Sequence, residues 1–202
     1  MFSFYEELID EIEVNGKTYS LNLFFDTVLL FFDLMNDDSF FDYEKVEIAF
    51  QMFINSDEEF DFETKYKVVE EITKRFIIGS ENDDADHSQS GSGGKKYYCL
   101  KQDAEFIYAS FMQEYGIDLV EQQGKLRWEK FKALLVGLRD DTKFKEVVGI
   151  RAMELPKGKG TEKERRRIMK LKRIYALKQD QKDQEDKMQA MFNMLAGKTG
   201  GK

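Results

Sequence analysis

Along most of this 202-residue chain the apolar residues recur at spacings of three and four, the period of a helix face. One stretch breaks that rule. Ile12-Glu13-Val14-Asn15-Gly16-Lys17-Thr18-Tyr19-Ser20-Leu21 alternates apolar and polar about Asn15-Gly16. Asn-Gly supplies the two positive-φ positions of a tight turn, so these residues predict a β-hairpin. A two-stranded hairpin is marginal in water by itself, so this one must rest on helices or on a neighbouring subunit. The fold class expected is mainly α: a helical bundle with a small N-terminal β-hairpin and a long polar C-terminal helix.

Helix boundaries follow from capping chemistry. Asp26 is expected to cap a helix running to about Leu34, and Asp42 another through Val46, Phe50 and Phe53. Ser56 and Glu59 have capping-box spacing ahead of a third helix bearing Tyr66, Val69, Ile72, Phe76 and Ile77, with Gly79 as its stop. Phe106, Ile107, Phe111, Met112 and Tyr115 form the apolar face of a further helix that Gly116 ends. Trp128, Phe131, Leu135 and Leu138 define the next, and Thr142 is placed to cap one through Phe144, Val147, Val148 and Ile150. After Pro156, Thr161 and Glu164 have capping-box spacing at the start of a polar helix with a narrow Ile168, Leu171, Tyr175 stripe.

Charge divides the chain more sharply than hydropathy does. Residues 1–94 hold 23 acidic and 6 basic side chains, and residues 95–202 hold 16 acidic and 25 basic, so a net charge of −8 conceals −17 against +9. The sign changes within residues 79–96, a polar Gly/Ser-rich stretch of linker composition. The expected organisation is an acidic part over 1–78, a linker over 79–96, a helical core part over 97–155 and a basic helix and tail over 156–202. Opposite charge in the two halves favours self-association.

Composition excludes more chemistry than it proposes. One Cys and one His cannot build a disulfide, a zinc knuckle or a multi-His metal site. His87 lies in the linker beside Asp86, where nothing fixes a catalytic geometry. Cys99 has Lys95, Lys96 and Lys101 nearby but no His close in sequence to activate it. Gly16-Lys17-Thr18 and Gly197-Lys198-Thr199 lack the preceding Gly of a phosphate-binding loop, since Glu11 and Phe192 stand there. The acidic run from Asn55 has Phe60 and Tyr66 where a calcium loop needs Gly and Glu, so it reads as a helix N-terminus. No enzyme activity, cofactor or metal is expected. The N-terminus has no basic n-region of a secretory signal. The apolar run from Leu21 to Met35 is too short, and interrupted by Asn22, Asp26 and Asp33, to cross a membrane.

What remains is binding. Residues 151–178 contain eleven Lys/Arg and three Glu. The candidate partner-binding residues are Arg165, Arg166, Arg167, Lys170, Lys172 and Arg173 on the basic helix, with Met188, Met191 and Phe192 near the C-terminus. Methionine adapts to irregular apolar partners. A basic helix can also meet phosphates. However, Gln179 to Lys187 carries no heptads of a basic-zipper type, and no aromatic signature of an RNA-recognition module is present. Contact with protein is therefore favoured over nucleic acid.

Several segments resemble one family. They are Asp103-Ala104-Glu105-Phe106-Ile107-Tyr108-Ala109-Ser110-Phe111, Tyr115-Gly116-Ile117-Asp118-Leu119 and Gln123-Gly124-Lys125-Leu126 with Trp128, Lys130 and Phe131. Gly137-Leu138, Asp141 to Val148, Ile150-Arg151 and Leu171 to Leu177 continue the pattern. Together these resemble the bacteriophage gene product fifteen family of long-tailed phages and prophages of Gram-positive bacteria. The resemblance implies a non-enzymatic role in tail morphogenesis. The expected role is that of an assembly chaperone that coats the tape-measure protein while tail-tube subunits polymerise. It also implies location in the host bacterial cytoplasm and absence from the mature virion. A nucleic-acid-binding phage factor and a structural tail or connector component are the alternatives. The resemblance carries no catalytic residue with it.

Overall fold

The computed structural model of the chain describes residue 5 and residues 8–78, 97–158 and 160–177. Among them are two strands and seven α-helices, so the protein is mainly α. Strands β1 (Glu11–Val14) and β2 (Lys17–Ser20) precede α1 (Phe25–Asn36), α2 (Asp42–Phe53) and α3 (Phe62–Ile72), and α3 continues as a π-helical turn, Thr73–Ile78. Helices α4 (Ala104–Tyr115), α5 (Trp128–Val136), α6 (Lys143–Ala152) and α7 (Glu162–Ile174) follow. The chain falls into two compact units. Described residues up to 78 join with Gln123–Phe131 in the first, and residues 97–122 and 132–177 form the second.

The first unit begins with the expected hairpin. Its register pairs Glu11 with Ser20 and Val14 with Lys17. Asn15 and Gly16 turn the chain with φ of 54° and 78°, the left-handed pair such a turn demands. Ile12, Val14 and Tyr19 face inward and are buried. The hairpin does rest on helical structure: Leu21 bridges to Ile54, and Asn22 N–H donates to the Phe53 carbonyl at 2.8 Å. The Tyr19 ring meets Phe60 edge-on with centroids 5.6 Å apart, and its hydroxyl donates to Glu58 at 2.6 Å. Behind it, Val28, Phe31, Val46, Ala49, Phe53, Val69 and Ile72 are fully buried. Their spacing is the helical stripe visible in the sequence.

Three expected caps differ. Helix α1 starts one residue before Asp26, whose carboxylate instead accepts from Gly124 N–H at 3.0 Å. Asp42 is the first residue of α2, and Glu44 reaches back to accept from Phe41 N–H at 2.8 Å. Helix α3 is capped not by Ser56 but by Asp61, which accepts from Thr64 N–H at 2.7 Å. Ser56 holds the preceding turn by accepting from Glu58 N–H at 3.1 Å. At the far end of α3, buried Thr73 donates its hydroxyl to the Val69 carbonyl at 2.7 Å. A hydroxyl bonded to the carbonyl four residues back loosens the helix ladder, and the π-helical turn begins there. Lys45 is buried, and its ammonium donates at 3.1 Å to the Met35 carbonyl in the last turn of α1. That is the helix end a cation favours.

Gln123–Phe131 completes this unit from far along the chain. Phe25 N–H donates to the Leu126 carbonyl at 2.9 Å and Trp128 N–H to the Leu23 carbonyl at 2.8 Å, a short antiparallel pairing about Phe24 and Arg127. Trp128 inserts its ring against Phe32, donates its indole N–H to the Ile77 carbonyl at 3.2 Å, and stacks on Phe131. Phe131 stacks in turn on Phe25 at 5.0 Å. The Arg127 guanidinium donates to the Leu8 and Ile9 carbonyls at 3.2 and 2.8 Å and pairs with Glu129 at 3.0 Å.

In the second unit, Gly116 ends α4 with φ of 64°, as its position predicts. Phe111 and Val147 are fully buried where α4 packs on α6. Thr142 occupies the cap position of α6, but its hydroxyl donates back to the Arg139 carbonyl at 2.7 Å. The donor at the start of α6 is satisfied across the unit: Phe144 N–H donates to Ser110 Oγ at 2.9 Å, and that hydroxyl donates to the Phe106 carbonyl at 2.7 Å. Thr161 similarly occupies the cap position of α7 without a capping bond and donates to the Gly158 carbonyl at 2.9 Å, so the expected box with Glu164 does not form.

Candidate functional site

The second unit is organised by one buried ion pair. Asp103, at the start of α4, is 1% exposed, and Arg151, at the end of α6, is 9% exposed. Both guanidinium nitrogens donate to the two carboxylate oxygens at 2.7 Å, the fork geometry that arginine alone provides. The second carboxylate oxygen also accepts from Cys99 N–H at 2.9 Å. The same guanidinium donates to the Tyr97 carbonyl at 3.0 Å and to the Tyr175 carbonyl at 2.5 Å. Lys172 closes the arrangement by donating to the Arg151 carbonyl at 2.8 Å. One side chain thus fixes the start of α4, the end of α6, the end of α7 and the entering chain at Tyr97.

The chain at Tyr97, the end of α6 with the residues that follow it, and α7 frame a groove of about 580 Å³. Ala152, Met153 and Leu155 supply apolar surface, and Lys157, Arg165 and Lys172 supply positive charge, with Glu154 the single acid. Met153 is itself 44% exposed. Nearby, Lys143 donates to the Tyr175 hydroxyl and pairs with Glu146, each at 3.0 Å. The tyrosine bond, then the glutamate, pushes the Lys143 pKa above the usual lysine value, so it stays a cation at the foot of α7.

Helix α7 presents two basic faces. Ile168 is buried against the unit, and Arg165 and Lys172 stand on the groove side with it. Arg166, Lys170 and Arg173 recur at four and three residues on the opposite face and are exposed. Arg167 makes a long pair with Glu164 at 3.8 Å. Among the described residues, Lys157, Arg165, Lys170 and Arg173 make no ion pair. The structure therefore separates the six basic candidates: two at the groove, three on the outer stripe, one beside Glu164. Met188, Met191 and Phe192 lie outside the described residues, as do His87, the linker over 79–96 and Gly197-Lys198-Thr199.

The other candidates have local duties. Gly16-Lys17-Thr18 forms the hairpin turn and its second strand, with Lys17 paired to Glu58. Cys99 is half-buried, and its sulfur accepts from Gln102 N–H at 3.5 Å. The acidic run serves the start of α3, as its chemistry suggests. Among the described residues no group of acids, His or Cys is arranged to hold a metal ion, and no helix is long and apolar enough to cross a membrane. Asp103 and Arg151 were missed as a pair by sequence reasoning, because 48 residues separate them. The only signal was an acid at a helix start and an arginine at a helix end, a pattern too common to single out.

Fold and surface together define a mainly α protein with an N-terminal hairpin, two compact units and a basic helix flanking a part-apolar groove. The chain belongs to the bacteriophage Gp15 protein family, whose model matches residues 4–177, and is thus a bacteriophage protein. No curated protein and no solved structure matches it.

Proposed function

We propose that this phage protein is a non-enzymatic tail-assembly chaperone that keeps the tape-measure protein soluble during tail morphogenesis. It acts in the host cytoplasm and is absent from the finished virion. The observation that carries the reading is the groove beside α7. Its apolar surface from Met153 and Leu155, flanked by Lys157, Arg165 and Lys172, suits an amphipathic client helix with acids along its rim. Helices dock in such grooves through side chains one turn apart, with charge fixing register. The family resemblance is the reason for naming this client, and the groove is the seat proposed for it.

The test is co-purification of tagged tape-measure protein with the chain and with a Lys157→Glu/Arg165→Glu variant, which leaves the Lys172 bond to Arg151 in place. The expected result is capture by the wild type and at least a tenfold loss in the variant. Equal capture by both contradicts the groove as the seat. Mass spectrometry of purified virions addresses the structural-component reading, which requires the chain to be present there.

A further inference from the structure

The groove beside α7 has a second fitting occupant in the chain itself. The Tyr175 carbonyl, one residue beyond α7, accepts from the Arg151 guanidinium, and Arg151 lines the groove. The described residues end at 177, so the sequence that follows begins at the groove's edge. Residues 178–202 lie outside the described residues, but their sequence carries the pattern such a groove takes. Met188, Met191, Phe192 and Leu195 stand at i, i+3, i+4 and i+7, the anchor spacing of a helix laid in an apolar groove. Gly197 follows them, as a helix stop does. Ahead of them, Asp180, Asp183, Glu185 and Asp186 are the only acids after Glu164.

The groove matches that segment in chemistry and in reach. Ala152, Met153 and Leu155 give it apolar surface. Lys172 is committed to the Arg151 carbonyl, but Lys157 and Arg165 are exposed and make no ion pair among the described residues. The connector over 178–187 can span at most about 33–36 Å, whereas Arg165 to Lys172 takes up about 10 Å of α7. The anchors can therefore return along the helix they follow. We propose that residues 188–195 dock in this groove of their own chain as an amphipathic helix, with the acids of 180–186 toward Lys157 and Arg165, and that a client must displace them. A short tether gives an effective concentration in the millimolar range, so even a weak contact keeps the groove covered until a better partner competes. The tail thus stands in for the client and shields Met153 when none is present. The proposal rests on the groove being a seat for a helix, as read above, and not on the identity of the client.

The experiment is fluorescence anisotropy with a labelled synthetic peptide of residues 178–197, added to full-length chains with no tape-measure protein present. The wild type is compared with a tail variant, Met188→Ser/Met191→Ser/Phe192→Ser/Leu195→Ser. The peptide is expected to bind the tail variant, whose groove is open, and to bind the wild type about tenfold more weakly, because its own tail competes. Adding Lys157→Glu/Arg165→Glu to the tail variant should weaken binding about tenfold, since like charges then meet. Both residues are exposed, and circular dichroism verifies that the fold is kept. Adding Lys170→Glu/Arg173→Glu instead, on the opposite face of α7, should leave binding within about twofold. Equal affinity for the wild type and the tail variant overturns the proposal, as does binding to neither. An equal loss from the two charge reversals marks general attraction rather than a seat and overturns it too. Sedimentation velocity tests the remaining occupant. A dimer of the 23.8 kDa wild type that the tail substitutions dissolve would put the tail in a second copy's groove, and docking within one chain would be wrong. Because the probe is the chain's own peptide, a tape-measure protein that fails to co-purify leaves these results untouched, so the two readings fail separately.

Discussion

Asp61 holds the first turn of α3 by a carboxylate that accepts from Thr64 N–H at 2.7 Å. That backbone bond, then the Thr64 side chain, draws its pKa below the usual aspartate value. The folded state therefore favours the ionised form. The resulting stability is present above the ordinary aspartate pKa of about 3.9 and is lost as pH falls through the lowered native value. Asp61→Ala should lower the melting temperature at pH 7 and bring it closer to the wild type at pH 2, measured by thermal scans at both. The Asp103–Arg151 pair behaves differently because it is buried. Arg151→Met leaves a buried carboxylate without its counter-charge and should cost about 3–5 kcal/mol in urea denaturation. Arg151→Lys should not restore the loss, since an ammonium cannot make the fork. Asp103→Leu together with Arg151→Met should recover much of it, because no charge is then stranded. If the single and double variants are equally destabilised, the pair is not what holds this unit.

At the scale of elements, the segment Gln123–Phe131 does for the first unit what the ion pair does for the second. Trp128→Ala removes a ring enclosed by Phe32 and Phe131 together with the indole bond to Ile77, and should cost about 3–5 kcal/mol. Ser110→Ala is a smaller change in volume, yet it strips a buried amide at the start of α6 of its acceptor. It should cost about 1–3 kcal/mol by the same denaturation measurement. These two residues also show where the sequence was readable. The hairpin was legible because Asn15-Gly16 and the alternation around it are local chemistry. Helix identities were legible because three-and-four spacing is local too. Several helix starts were not, because their donors are met from elsewhere: Asp26 turns to Gly124, and Ser110 rather than Thr142 serves α6. The pairing of residues 23–25 with 126–128 left no trace that a window of the chain could hold. Within the candidate site the basic helix was plain from composition. The groove was not, because Tyr97, the end of α6 and α7 converge only through Asp103 and Arg151.

For the molecule as a whole, the charge split between residues 1–94 and 95–202 has concrete positions. Its positive side includes both faces of α7, one toward a part-apolar groove and one outward. Its negative side includes Asp42 and Glu44 in the first turn of α2, in sequence with the exposed rings of Phe41 and Tyr43. A protein with such surfaces and with its ion pairs devoted to structure suits a role in holding other chains. That is the role proposed for this member of the bacteriophage Gp15 family. The most direct measurement is the soluble fraction of the cognate tape-measure protein, expressed in a bacterial host with and without this chain. The account predicts that the tape-measure protein is mostly insoluble alone and mostly soluble when the chain is co-expressed, with the two eluting together on size exclusion. An unchanged soluble fraction, at comparable expression of both, would contradict it.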